Sequence, residues 1–372
     1  MRARRLSIVV TMVAIAAASS SARAEPAAST VAGFTLHGGG YLQPQLRLRE
    51  DDAVAPFDED GFRVRRARLI GAATRTLHRV TIDVAVEAEL TPEPRLLDAA
   101  VAVSGCLLGD GGWRVDAGQF KVPVSRQTLL SDSRLGFVEK AELAGLAPDR
   151  QIGAMVTLVV PEAPWVRLSG GLWNGEGPNQ SGNVDQRYLW AGRFELRALG
   201  RGATLAESAL AEPTAWLGAS AARQQRDVGD GLETQVTLGV DVAAAWHGAS
   251  ASVEYLQVTH DFDAVDRLDF RANGLVAQLG YLLPVAAPGD VEVAVRFEEI
   301  DRNDAVPIVR RGDPDQSLRY FTAGASWYLD GHDLKLQATG SHIVEIEDRD
   351  AMRSDARYAN DTLLVQATVR IE

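Results

Sequence analysis

Apolar and polar residues alternate along most of this chain. In residues 78–90, Val80, Ile82, Val84, Val86, Ala88 and Leu90 share one face of an extended backbone, and Arg79, Thr81, Asp83, Glu87 and Glu89 share the other. Residues 290–299 set Val291, Val293, Val295 and Phe297 against Glu292, Arg296 and Glu298. Successive strand side chains point to opposite sides, so period two marks a sheet whose faces meet unlike surroundings. The pattern predicts sixteen such segments, from 34–48 to 362–371, many of them nine to twelve residues long. Strands of soluble proteins are usually nearer five or six residues, whereas a strand tilted across a bilayer needs roughly 9–11.

The connections sharpen this reading. Long charged stretches such as "EDDAVAPFDEDG", "GEGPNQSGNVDQR" and "RQQRDVGDGLE" nearly alternate with tight turns such as "PEAP", "WHGA" and "DGH". In an up-and-down meander, alternate connections emerge at opposite ends, and outer-membrane barrels carry long loops outside and short turns inside. Two connections break the rule. The one near 91–95 is short, and "GRGATLAESALAEPT" at 200–214 is too long for its end. Tyr41, Trp113, Trp165, Trp173, Tyr188, Trp216, Trp246, Tyr255, Tyr281, Trp327 and Tyr328 lie near strand ends, as girdles at two interfaces would require. The pattern therefore predicts an all-β fold: a closed antiparallel transmembrane barrel of about sixteen strands over 34–372.

Residues 1–24 read as a secretory signal peptide, with Arg2, Arg4 and Arg5 before an apolar run and small residues before a cut after Ala24. Residues 25–33 read as a short linker. Lys and Arg number 38 against 50 Asp and Glu, and four of the arginines sit in the first 24 residues, so the remainder carries a net charge near −16. That balance excludes nucleic acid as a partner. The single cysteine, Cys106, sits in a turn-like "SGCLLGDGG", which rules out an internal disulfide. The six histidines are scattered without metal-ligand spacing. The "HGGG" of 37–40 has no nucleophile elbow downstream and reads as a glycine-rich first strand. No enzyme signature and no cofactor motif is present.

Two basic groups remain. "GFRVRRARL" at 61–69 holds Arg63, Arg65, Arg66 and Arg68. Strict alternation sends Arg63 and Arg65 one way, and Arg66 and Arg68 the other, one pair toward a lumen and the other toward headgroups. The second group interrupts the strands. Residues 120–150 contain Lys121, Arg126, Arg134, Lys140 and Arg150 against Asp132, Glu139, Glu142 and Asp149. The same stretch holds Leu129, Leu130, Leu135, Phe137, Val138, Leu143 and Leu146, too apolar for a solvated loop.

"GFRVRRARL", "DAGQFKVPVSRQTLLSDSRLGFVEK", "APDRQIGAMV" and "GLWNGEGPN" together resemble the phosphate-selective porin family, over about residue 34 to the C-terminus. The resemblance implies a sixteen-stranded barrel in the outer membrane, a homotrimer, and a third long loop folded inward as a constriction. Residues 120–150 stand in that loop's place. Lys121, Arg126, Arg134, Lys140 and Arg150 would then meet a passing anion, inorganic phosphate or another small one, with Arg63, Arg65, Arg66 and Arg68 as further lumen cations. Lysine and arginine at a constriction select for anions. Against strict phosphate selectivity stand the acids that alternate onto the lumen face: Asp83, Glu87, Glu89, Glu195, Glu254, Glu292 and Glu298. A general, weakly selective diffusion porin and an exported β-rich binding or adhesion protein remain the alternatives. The chain ends in "VRIE", not in the aromatic residue common in such barrels.

Overall fold

The computed structural model describes residues 29–371, apart from 50–59, 108, 201–204, 211, 230, 264–267, 286–287, 303–316 and 346–360. The proposed signal peptide and Glu372 lie outside the described residues. Among the described residues the sheet begins with β1 (Ser29–Val31), which pairs antiparallel with the start of β2 (Phe34–Arg49). There follow β3 (Gly61–Leu77), β4 (Val80–Glu89), β5 (Arg95–Cys106), β6 (Gly112–Lys121), β7 (Arg150–Val160), β8 (Ala163–Trp173) and β9 (Leu189–Leu199). The second half holds β10 (Thr214–Val228), β11 (Gly231–Trp246), β12 (Ala249–Phe262), β13 (Phe270–Leu283), β14 (Asp290–Asp301), β15 (Leu318–Asp330), β16 (Leu334–Glu345) and β17 (Thr362–Ile371).

Each strand from β2 onward pairs antiparallel with the next, and β17 closes on β2 with Thr362 opposite Arg49 and Ile371 opposite Gly40. The result is a closed barrel of sixteen strands. Closure leaves no backbone edge unpaired in lipid. The alternation is inside out. On β14, Val293 is 41% exposed and Val295 56%, whereas Glu292 is 2% and Glu298 1% exposed. On β11, Leu238, Val240 and Val242 are exposed while Thr237 and Asp241 are buried. A soluble sandwich would do the reverse. An apolar belt outside and a polar interior is the arrangement that a bilayer demands.

Several strands run longer than the alternation predicts. β10 and β11 extend through "RQQRDVGDGLE" and meet at a connection of residues 229–230, so this stretch is a tight hairpin and not a long loop. Gly229 there has φ of +62°, open to glycine at little cost. The aromatic girdle is also thinner than its sequence suggests. Trp165, Tyr188, Trp246, Tyr255 and Tyr281 are exposed, but Tyr41, Trp173, Trp216 and Tyr328 are buried. Trp190, on the outer face of β9, is exposed as well. Cys106 is the last residue of β5 and is exposed.

Candidate functional site: the lumen loop and its cations

The break in the strands is narrower than the sequence suggests. β6 runs to Lys121 and β7 starts at Arg150, and the two residues face each other in register. The Val122 amide donates to the Asp149 carbonyl at 3.0 Å and closes the base of a loop, 122–149. The motifs that flank it meet at this base. Phe120 packs on Trp173 with ring centroids 5.8 Å apart, and Trp173 is fully buried. A side chain at Gly153 would come within 2.5 Å of the Trp173 ring, and one at Gly171 within 2.7 Å. The glycines of "RQIGAMV" and "GLWNGEG" thus make room for the tryptophan.

From this base the loop turns into the barrel. It contains a four-residue helix, α1 (Arg126–Leu129), and two 3₁₀ turns at Asp132–Arg134 and Glu142–Leu146. Leu130, Leu135, Val138 and Leu143 are fully buried, and Phe137 lies under Arg296 at 4.6 Å. Val122, Val124, Ala141 and Leu143 share a core with Leu256, Val276 and Ile300 of the inner wall. Each such large side chain stabilises the docked loop by about 1.5–3 kcal/mol.

Polar groups of the wall hold the loop's backbone. Glu254 accepts from the amides of Arg126 at 2.8 Å and Gln127 at 3.0 Å, which caps α1. Glu298 accepts from the Glu142 amide at 2.6 Å. Lys335 donates to the Leu135 carbonyl at 2.7 Å, Arg296 to the Glu139 carbonyl at 3.0 Å, and Gln337 to the carbonyls of Leu135 and Gly136. Buried backbone groups need such partners. The lumen carboxylates are therefore anchors, and Glu254, Glu292 and Glu298 are all buried.

The four arginines of β3 all face the lumen, contrary to the strict alternation expected for them. Gln43 pairs with Arg66 and Pro44 with Val64, which leaves Arg65 as an extra residue. Pro44 has no N–H to give to a regular ladder, and the bulge shifts the phase of the strand by one. Phe62, Val64 and Leu69 face out, while Arg66 and Arg68 are buried. Arg63 donates to Gln45 at 2.7 Å. Arg65 and Arg66 both reach Glu139 at 2.6 Å. Arg68 reaches Asp132 at 2.7 Å, Glu89 at 2.8 Å and Glu87 at 2.9 Å. The row clamps the loop through Asp132 and Glu139. Burial pushes the Asp132 carboxyl up, but Arg66, Lys140 and Arg68 outweigh it and hold it well below the usual range.

The structure splits the loop's five predicted cations into two groups. Lys121, Lys140 and Arg150 gather around Asp132 and Asp98. Lys121 donates to the Leu130 carbonyl at 2.8 Å, and Lys140 to the Thr128 carbonyl at 3.2 Å with Asp132 at 3.8 Å. Burial lowers the Lys140 ammonium below its ordinary value. Arg150 forms a two-point pair with Asp98 at 2.9 and 3.1 Å. Arg126 and Arg134 lie elsewhere, against a segment that sequence reasoning missed. Arg126 is 5% exposed and donates to the Ala206 carbonyl at 3.1 Å, and the Glu207 amide donates to the Arg134 carbonyl at 3.0 Å. Arg134 is half-buried, and its guanidinium has no carboxylate partner among the described residues.

That segment belongs to the overlong connection between β9 and β10, at the end of the barrel where short turns prevail. Glu207, Ser208 and Ala209 are buried. Gln127 donates to Glu207, and Glu292 accepts from the Ser208 hydroxyl at 2.8 Å and the Ala209 amide at 3.1 Å. The connection enters the lumen from below and meets the loop that enters from the side. Its excess length was the one sequence signal of this.

The sequence profile described as phosphate-selective porin O and P matches residues 46–371. The chain belongs to that porin family. Comparison with curated protein sequences finds no match. Solved structures share the fold at low identity. An anion-selective porin from Comamonas acidovorans superposes with a TM-score of 0.63 at 14% identity, over 91% of this porin and 100% of that chain. The trimer form of OmpT from Vibrio cholerae gives 0.57 at 12% over 91% and 100%. The outer membrane channel DcaP of Acinetobacter baumannii gives 0.58 at 10% over 92% and 99%. No cluster of metal-ligating side chains is found among the described residues.

Proposed function

We propose that this porin is a passive outer-membrane channel for anions, with phosphate as the solute its family description names, and that Lys121, Lys140 and Arg134 set its preference. The observation that carries the reading is the docked loop. It holds Lys121 and Lys140 at a fixed depth, partly exposed, beside a wall whose acids are engaged as anchors. A sixteen-stranded barrel leaves an aqueous lumen, and cations that border it attract anions and repel cations. Arg126 falls outside the filter, because its side chain is buried against the Ala206 carbonyl. The paired arginines Arg65, Arg66, Arg68 and Arg150 position the loop. Residues 1–24 direct export and are removed after Ala24. Three copies assemble, as in the trimer form of the structural neighbour, and a mass measurement in mild detergent that finds only monomer overturns this.

The test is planar-bilayer conductance with reversal potentials in a salt gradient. The wild type is expected to favour anions, and Lys121→Gln, Lys140→Gln and Arg134→Gln together to move the reversal potential toward cations. A triple variant with the parent's preference removes the loop from the filter. A second reading, a weakly selective general porin, is supported by the neutralisation of most lumen arginines by carboxylates within 3 Å. It predicts a parent reversal potential near zero.

A further inference from the structure

Below the lumen loop, toward the short turns, lies a cavity of about 680 Å³ open to the lumen. Its two sides differ in kind. The barrel wall contributes Arg79, Arg114, Arg167, Arg193 and Arg197, with Asp116 and Glu195 as the lining acids. The opposite side is apolar: Pro123 and Leu129 come from the lumen loop and Leu205 from the inserted connection.

The carboxylates are all engaged. Arg114 holds Asp83 at 3.0 Å and Asp116 at 2.9 Å. Arg193 holds Glu195 at 2.9 Å and Asp241 at 2.8 Å, and Arg197 holds the same Glu195 at 2.7 Å. Five arginines thus stand against four carboxylates. Arg114, Arg193 and Arg197 take up these acids, which leaves Arg79, exposed at the rim, and Arg167, whose Nε is buried with no hydrogen-bond partner. A buried guanidinium N–H without an acceptor is costly, and an arriving oxyanion relieves that cost.

The geometry points to a dwelling site for small organic carboxylates with an apolar body, held head-on by Arg167 and laid against Leu129 and Leu205. This rests on the anion-channel reading and narrows it. Inorganic phosphate or chloride would gain from the arginines but nothing from the leucines. A carboxylate with a ring or alkyl body gains from both, and half-burying a phenyl ring at about 25 cal/mol per Å² accounts for roughly a tenfold difference in affinity. The Leu129 edge of the site adjoins the Lys121 cluster, since the Leu129 carbonyl accepts from Lys121 at 3.3 Å. Arg167 and Leu205 have no hydrogen bond or ion pair to Lys121 or Lys140 among the described residues and can be changed separately.

The test is single-channel block of chloride current by benzoate, with acetate as the probe that has the same head and almost no body, and with inorganic phosphate alongside. Benzoate is expected to block at about tenfold lower concentration than either. Leu205→Ser, on the side of the cavity away from Lys121, should narrow the gap between benzoate and acetate while chloride conductance and reversal potential stay those of the parent. Arg167→Gln should weaken both probes. Benzoate no better than acetate in an anion-selective wild type overturns the inference and leaves the channel reading intact. A wild type without anion preference overturns the channel reading itself, and this site with it.

Discussion

Asp132 sits between two guanidinium groups, Arg68 at 2.7 Å and Arg66 at 3.4 Å, with the Lys140 ammonium at 3.8 Å. Asp132→Asn leaves buried cations without their shared partner, and breaking a buried pair in this way costs about 3–5 kcal/mol. Unfolding midpoints in detergent should fall accordingly, and an unchanged midpoint contradicts the clamp. The pH dependence follows from the depressed carboxyl. Its contribution is fully present above the unfolded value near 4 and is lost as pH falls below it. The residue types of this clamp were legible in the sequence, as an arginine-rich strand and an acid-bearing loop. The facing of Arg65 was not. Alternation counts residues, and one bulge beside Pro44 moves every later side chain to the other face. Proline was the visible cue.

At the scale of elements, the loop 122–149 and the connection that carries 205–209 support each other. Gly136 shows how closely they fit: a side chain there would come within 2.7 Å of the Glu207 carbonyl oxygen. Gly136→Val forces the two apart, and overpacking of this kind costs about 1–3 kcal/mol. The expected result is a wider, noisier channel, seen as raised single-channel conductance with added fluctuation. Conductance and noise equal to the parent would show that the contact does not restrict the lumen. Barrel strands were readable because each carries its own period. The inserted connection has no period and packs through groups far away in sequence, such as Glu292 with Ser208. Only its excess length hinted at it. The leucines of the lumen loop were more informative, since a solvated loop has no use for them.

The whole molecule poses a charge problem, an excess of acids in a channel read as favouring anions. The distribution resolves it. Glu254, Glu292 and Glu298 are bound to backbone or hydroxyl donors of the loop and the connection. Much of the remaining acid lies in the long loops. Residues 50–60 alone carry six carboxylates and no cation. The short-turn end instead opens on a cavity lined by five arginines and two acids. The two mouths therefore present unlike fields to an approaching anion, negative at the long loops and weakly positive at the cavity, where five arginines stand against four carboxylates. Salt acts on these fields differently from the filter, because the Debye length falls from about 10 Å at 0.1 M to about 3 Å at 1 M, while charges in contact with the ion path are screened much less. Capture of an anionic blocker added on the long-loop side should quicken as salt rises, since repulsion is being screened. Capture from the short-turn side should slow, since attraction is being screened. The measurement is the blocking rate from each side of an oriented single channel at 0.1 and 1 M salt, on the order of the ionic strengths just compared. Equal salt dependence from both sides would mean that the mouths do not differ in field, and that the acidity of the long loops plays no part in what reaches the lumen.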